Sequence, residues 1–267
     1  MKKYLAIFAH PDDAEGYMGG TIIKLARAGH QVKIISLTDG GAGHYSMPSK
    51  ELAARRRKEA FAAAEFAGVE CEVWDIPDGR LEVNLLTRER VISAIREFSP
   101  DVVFTSRTWD YHPDHRATAQ LVQDASYMVI VPSVCPQHPV PSQVPVILFA
   151  HDSFKTPCQF QPAVAIDIDG VMDEKIEMMA FHESQFFEWL AHVRGLLDSV
   201  PSGRRERLAW LKENWSAKNT GQAKQFRDLL HKRYGTAAEK CACAETFEVS
   251  EYGCSVEEGE LDKLLPL

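Results

Sequence analysis

The chain has 267 residues, 45% of them hydrophobic, which suits one α/β domain with a C-terminal extension better than two full domains. Its formal charge of −8 argues against a nucleic-acid partner, whose footprint is normally basic, and no stretch nears the ~20 apolar residues that span a bilayer. Two lysines lead straight into an apolar run without a cleavage-type leader, so a soluble, cytoplasmic protein is expected, with its six cysteines as reduced thiols and Cys241 and Cys243 the pair to watch.

In chain order, "KYLAIFA" reads as a strand. "MGGTIIKLARAG" has helical apolar spacing with Gly29 at its end, and "QVKIISLT" is a second strand, which completes one βαβ unit. The unit recurs. "ELAARRRKEAFAAAEFAG" leads to "CEVWDI", then "TRERVISAIREF" leads through Pro100 to "DVVFTS". "VILFA" and "AVAIDI" supply two more strands, and a helical stretch runs from about Asp173 to Leu197. This alternation predicts an α/β, Rossmann-like, mostly parallel sheet with helices on both faces. No internal repeat is present.

In such sheets ligands bind beyond the carboxyl ends of the strands. Three segments sit there: "HPDDAE" after the first strand, "TDGGAGHY" after the second and "RTWDYHPDH" after "DVVFTS". The first and third both contain His-Pro-Asp, and they bring His10, Asp12, Asp13, His112, Asp114 and His115 to one rim. Imidazole and carboxylate are ordinary zinc ligands, and adjacent carboxylates become tolerable when a divalent cation dominates the local charge. His10 and Asp13 with His115 would leave a fourth tetrahedral position for water, the mark of a catalytic site. The bland alternative is that both motifs are helix starts, with carboxylates capping free N–H groups and Pro113 in a first turn. Either motif alone favours that account; two, each after a strand, favour a metal.

Together these segments closely resemble the zinc-dependent N-deacetylases of the LmbE/PIG-L family. The resemblance extends through "RRRKEAFAAAEFAGVE", "IPDGRL", "KIEMMAFHESQ" and the final "AETFEVSEYG", covering residues 1 to about 190 and the last 25 or so. It implies Zn2+ held by His10, Asp13 and His115, with Asp12 as general base and His112 as helper for the developing oxyanion. It further implies Arg56, three residues before Glu59, as substrate anchor and His182 near the site. Asp39 in "TDGG" either lines the pocket or makes an Asp-Gly turn, and Asp110 is either a carboxylate behind a histidine or a loop or N-cap residue.

Two departures stand out. Where the family often has E-x-G-x-G-G, this chain reads "EGYMGG" with Tyr17, so a different local backbone is expected. The segment at about 194–240 has no counterpart in short family members. Between Arg204 and Arg233 it holds nine Lys or Arg and three Asp or Glu, about +6 on a body of about −14. It is expected as a basic helical pair within a single deacetylase domain spanning 1–267, mostly solvated, and forming either one wall of the substrate cleft or an oligomer contact. The expected activity is removal of an N-acetyl group from an N-acetylglucosamine-type amino sugar or its conjugate, with a small-molecule partner, no nucleic acid and no membrane; a homo-oligomer is left open. The rivals are a non-catalytic sugar- or nucleotide-binding module, whose G-x-G-x-x-G turn is absent after the first strand, and a metal-dependent phosphoesterase.

Overall fold

The computed structural model describes residues 1–257 and 259–267. Seven strands form one sheet: β1 (Lys3–Phe8), β2 (Gln31–Thr38), β3 (Glu70–Ile76), β4 (Val102–Thr105), β5 (Val146–Ala150), β6 (Val164–Asp167) and β7 (Ala244–Gly253), in the order β3-β2-β1-β4-β5-β7-β6. β1 to β5 pair in parallel, and β7 runs antiparallel between β5 and β6. The sheet is therefore α/β and mostly parallel, with an antiparallel edge.

Strand alternation assigns the two faces. Tyr4, Ala6 and Phe8 of β1 enter one core, and Leu5 and Ile7 enter the other. The first core is closed by α1 (Asp13–Arg27), α2 (Ser49–Ala67) and α5 (Met172–Ala180), and the second by α3 (Leu85–Phe98) and α4 (Pro113–Met128). Within α1, Met18 leaves helical geometry (φ −144°, ψ 22°), which kinks the helix beside Tyr17, within "EGYMGG". Gly20 lets α1 approach closely: a Cβ there would stand 2.7 Å from Ile168 Cγ2.

The expected helix from Asp173 to Leu197 is broken into α5, a π-helical turn (Ser184–Trp189) and the short α6 (Leu190–Val193). The insertion is three helices rather than a pair: α7 (Arg204–Trp215), α8 (Ala217–Gln225) and α9 (Arg227–Tyr234). It bends at Phe226, whose ring packs against His151 and Phe160. Nor is it a free hairpin, because Trp210 and Leu211 enter the first core and Leu230 packs with Ala165 of β6. A last helix, α10, covers Glu260–Leu264. All six cysteines are free thiols. Among the described residues, no helix is long and apolar enough to cross a membrane.

Candidate active site

The strand order reverses direction between β1 and β4, and this switch point is where an α/β sheet opens a crevice. The segment after β1 delivers His10, Asp12 and Asp13; α4, which follows β4, delivers His115, with His112 as its N-cap. Three ligand-type atoms converge there. His10 Nδ1 lies 3.2 Å from His115 Nε2, and Asp13 Oδ2 lies 3.4 Å from each of them. A tetrahedron whose centre is about 2.0–2.1 Å from its corners has edges of roughly 3.3 Å, so this triangle fits zinc held by nitrogen and oxygen. The rings of His10, His112 and His115 also bring nitrogens within 4.8 Å of one another.

The outer nitrogens of the two converging histidines face carboxylates. His10 Nε2 is 3.0 Å from Asp78 Oδ1 and 3.5 Å from Asp114 Oδ2, and His115 Nδ1 is 3.1 Å from Asp110 Oδ1. Such partners orient a ligating imidazole and fix which nitrogen faces the ion. Burial pushes His10 down, but Asp114, Asp13 and Asp78 outweigh it and raise the imidazole well above its ordinary value. Burial likewise opposes the Asp13 and Asp110 carboxylates that raise His115 to about 9. The cluster attracts positive charge.

Asp12 occupies the N-cap position of α1, but its side chain does not cap the helix. It sits at φ 113°, a region that a non-glycine residue rarely occupies, makes no capping bond, and accepts from Arg56 Nη2 at 2.8 Å. Burial pushes its carboxyl up to about 6, against the pull of Arg56. His112, by contrast, does cap α4: its Nδ1 accepts from the Asp114 backbone N–H at 3.2 Å, which leaves the ring proton on Nε2. The capping reading thus holds for this residue, and its Nε2 stays free.

The residues expected to meet substrate are placed differently. Arg56 is 2% exposed, donates to Gly40 O at 2.9 Å and to Pro11 O, and does not line the cavity beside Asp12. Gly40 makes room for it, since a Cβ there would stand 2.6 Å from Arg56 Nη1. Asp39 makes the turn: its Oδ1 accepts from Gly41 N at 2.9 Å and from Asp78 N at 3.0 Å. His182 is fully buried 3.2 Å from Glu15, whose charge, with those of Asp12 and Glu59, raises it despite burial. Asp110 faces His115 and also braces its own loop, accepting from His112 N at 2.9 Å, while the cap of α4 is His112.

Asp78 was not nominated from sequence, although "IPDGRL" follows β3 as the other motifs follow their strands. Applying the rim rule to β3 finds it. Asp114 ties that loop down, accepting from Gly79 N at 2.7 Å and Leu81 N at 3.3 Å.

A cavity of about 380 Å3 is lined by Asp12, Asp13, Tyr17 and His115, and also by Arg194, Trp215 and Lys218 of the insertion. Lys218 is open to the cavity's solvent, yet enough protein surrounds it that loss of bulk water, with Lys175 nearby, lowers its ammonium to about 7.

A family model described as PIG-L, GlcNAc-PI de-N-acetylase, matches residues 5–126. A diacetylchitobiose deacetylase of Thermococcus kodakarensis is 32% identical over 194 residues, covering 70% of this chain and 72% of that protein. A 4-oxalmesaconate hydratase of Pseudomonas putida is 27% identical, covering 76% of this chain and 82% of that protein. Among solved structures, N,N'-diacetylchitobiose deacetylase from Pyrococcus horikoshii aligns with a TM-score of 0.69 at 25% identity, over 93% of this chain and 84% of that chain. An extended likeness to a deacetylase at this level of identity, carried on a sheet whose switch point gathers both His-Pro-Asp motifs, places the chain in the PIG-L/LmbE family.

Proposed function

We propose that this protein is a zinc-dependent hydrolase that removes the N-acetyl group from an N-acetylated amino sugar or its conjugate and releases acetate. The observation that carries the reading is the His10–Asp13–His115 triangle, with Asp12 and His115 opening onto a cavity of ligand size. The deacetylase relatives supply the reaction class.

Zinc held by these three residues would supply Lewis acidity and a water acidic near neutrality, with a pKa of about 7. Asp12, fixed by Arg56, accepts the proton that the attacking water gives up. His112 presents Nε2–H, because Nδ1 is committed to the helix, and donates it to the acyl oxygen as negative charge develops there. Asp78 and Asp110 hold the His10 and His115 rings in register.

The test is metal content by elemental analysis beside acetate release from N-acetylglucosamine and diacetylchitobiose. Wild type should carry about one zinc per chain, and His10→Ala should lose it. Asp12→Ala should keep the metal and lose acetate release by a factor on the order of a thousand. A fully active Asp12→Ala protein overturns the base assignment, and a protein that takes up no metal overturns the mechanism. Hydration, the reaction in one relative's name, becomes the better reading if the zinc-loaded protein releases no acetate from any N-acetyl sugar.

A further inference from the structure

The cavity that contains Asp12, Asp13 and His115 is not walled by the shared sheet and helices alone. Its remaining wall is built by this chain's own basic segment, through Arg194, Asn214, Trp215 and Lys218. Two of these side chains, Lys218 and Arg194, are basic groups that lack a counter-ion among the described residues. Lys218 Nζ lies 3.9 Å from the centre of the Tyr17 ring, and the Arg194 guanidinium lies 4.2 Å from that of Trp215, donating only to Asn214 O at 3.3 Å. Among the described residues, no carboxylate forms an ion pair with either. The third cation of the lining, Lys175, is already neutralised by Glu245 at 2.6 Å. The lining's carboxylates are Asp12, bound to Arg56, and Asp13, set between His10 and His115.

In a protein of net charge −8, two basic side chains stand without a carboxylate partner where a ligand would lie. Tyr17 and Trp215 hold them in place by their ring faces, an arrangement that leaves N–H groups free for an anion. The same lining includes the apolar side chains of Met179, Phe186 and Leu190. At about 380 Å3 the space exceeds what an acetamide group needs and falls within the range of roughly 300–1,000 Å3 for whole small-molecule ligands.

We infer that Arg194 and Lys218 form an anion subsite of the substrate cleft, so that the N-acylated substrate carries a carboxylate or phosphate. The inference rests on the deacetylase reading for the identity of the reacting end, and on the cavity alone for the charge of the other. It makes the insertion a specificity element. A neutral disaccharide leaves both cations unused.

The test compares three probes that share N-acetylglucosamine and a six-carbon glycosidic stem, ending in a carboxylate, its primary amide or a phosphate monoester. Binding to the zinc-loaded full-length protein is measured by calorimetry at low ionic strength, and acetate release is measured separately. The carboxylate or the phosphate should bind at least about tenfold tighter than the amide. Lys218→Met and Arg194→Leu should each reduce that preference to about threefold or less, and Lys218→Arg should retain it. Whichever anion binds tighter names the substrate class. Anions and amide binding wild type within about twofold would overturn the subsite, as would a preference unchanged in both variants, which would place the anion on the metal. No acetate from any probe, with the charge preference intact, removes the deacetylase reading and keeps the subsite. Acetate from all three without charge preference does the reverse.

Discussion

Arg56→Met separates two roles that the sequence leaves merged. As a substrate anchor, Arg56 would face the ligand; in the structure it is 2% exposed and its fork is spent on Asp12, Pro11 O and Gly40 O. Methionine fills similar space but leaves the Asp12 carboxylate buried without its cation, and two carbonyl oxygens without donors. Removing one partner of a buried pair costs about 3–5 kcal/mol. For a chain of this size, that corresponds to a fall in Tm of roughly 6–20 °C. Asp12, at φ 113°, is braced by the same bonds, so the proposed base should lose its position, and a displacement of about 1 Å at a reacting group costs on the order of a hundredfold in rate. The expected result is a large fall in kcat with little change in KM, together with lower thermal stability. Steady-state kinetics on any substrate that releases acetate, with a melting curve beside them, reads both. An anchor would instead lose a charge-assisted bond to substrate, raising KM roughly 10- to 100-fold. A raised KM with unchanged kcat and Tm would refute the positioning role.

Asp78→Asn keeps the shape but weakens the carboxylate facing His10 Nε2, so metal affinity or turnover should fall about 10- to 100-fold in a chelator competition assay; unchanged affinity would mean that Asp78 only shapes its loop. At the buried Lys175–Glu245 pair the two deletions should be unequal. Lys175→Met leaves Glu245 with Gly20 N, Thr21 N and Thr21 Oγ1, whereas Glu245→Leu strands both the ammonium and those donors, so urea unfolding should show about 3–5 kcal/mol lost for Glu245→Leu and clearly less for Lys175→Met. Equal losses would contradict this accounting. His151, beside Phe160 and Phe226, is lowered from its ordinary 6.5 to about 4 by burial and then by Lys218 and Arg107, against the pull of Asp152. Between those values the unfolded chain binds a proton that the folded chain refuses, so stability present above pH 6.5 falls as pH drops toward 4. His151→Phe should make that acid loss shallower, and an identical slope would show that the histidine is not responsible.

Local pattern alone was sufficient for much of the fold. Short apolar runs and helical spacing are local signals, so the continuous apolar run in "KYLAIF" and the spacing in "TIIKLAR" predicted β1 and α1 without knowledge of their neighbours. The two His-Pro-Asp motifs were legible for a similar reason: each lies in the segment that leads from a strand into the next helix, and the rim rule carries it to the crevice. The π-helical turn at Ser184–Trp189 and the three-helix insertion were not legible, because the breaks serve packing against Trp210, Trp215 and Phe226 rather than any local signal. What only the tertiary structure decided is which side chains meet. Asp78 and His10 stand 3.0 Å apart across 68 positions of chain, Arg56 turns inward to Asp12 instead of outward to a ligand, and Lys218 reaches Tyr17 from an inserted helix. Such contacts depend on strand order, crossover and the depth of helix packing, none of which leaves a period in the sequence.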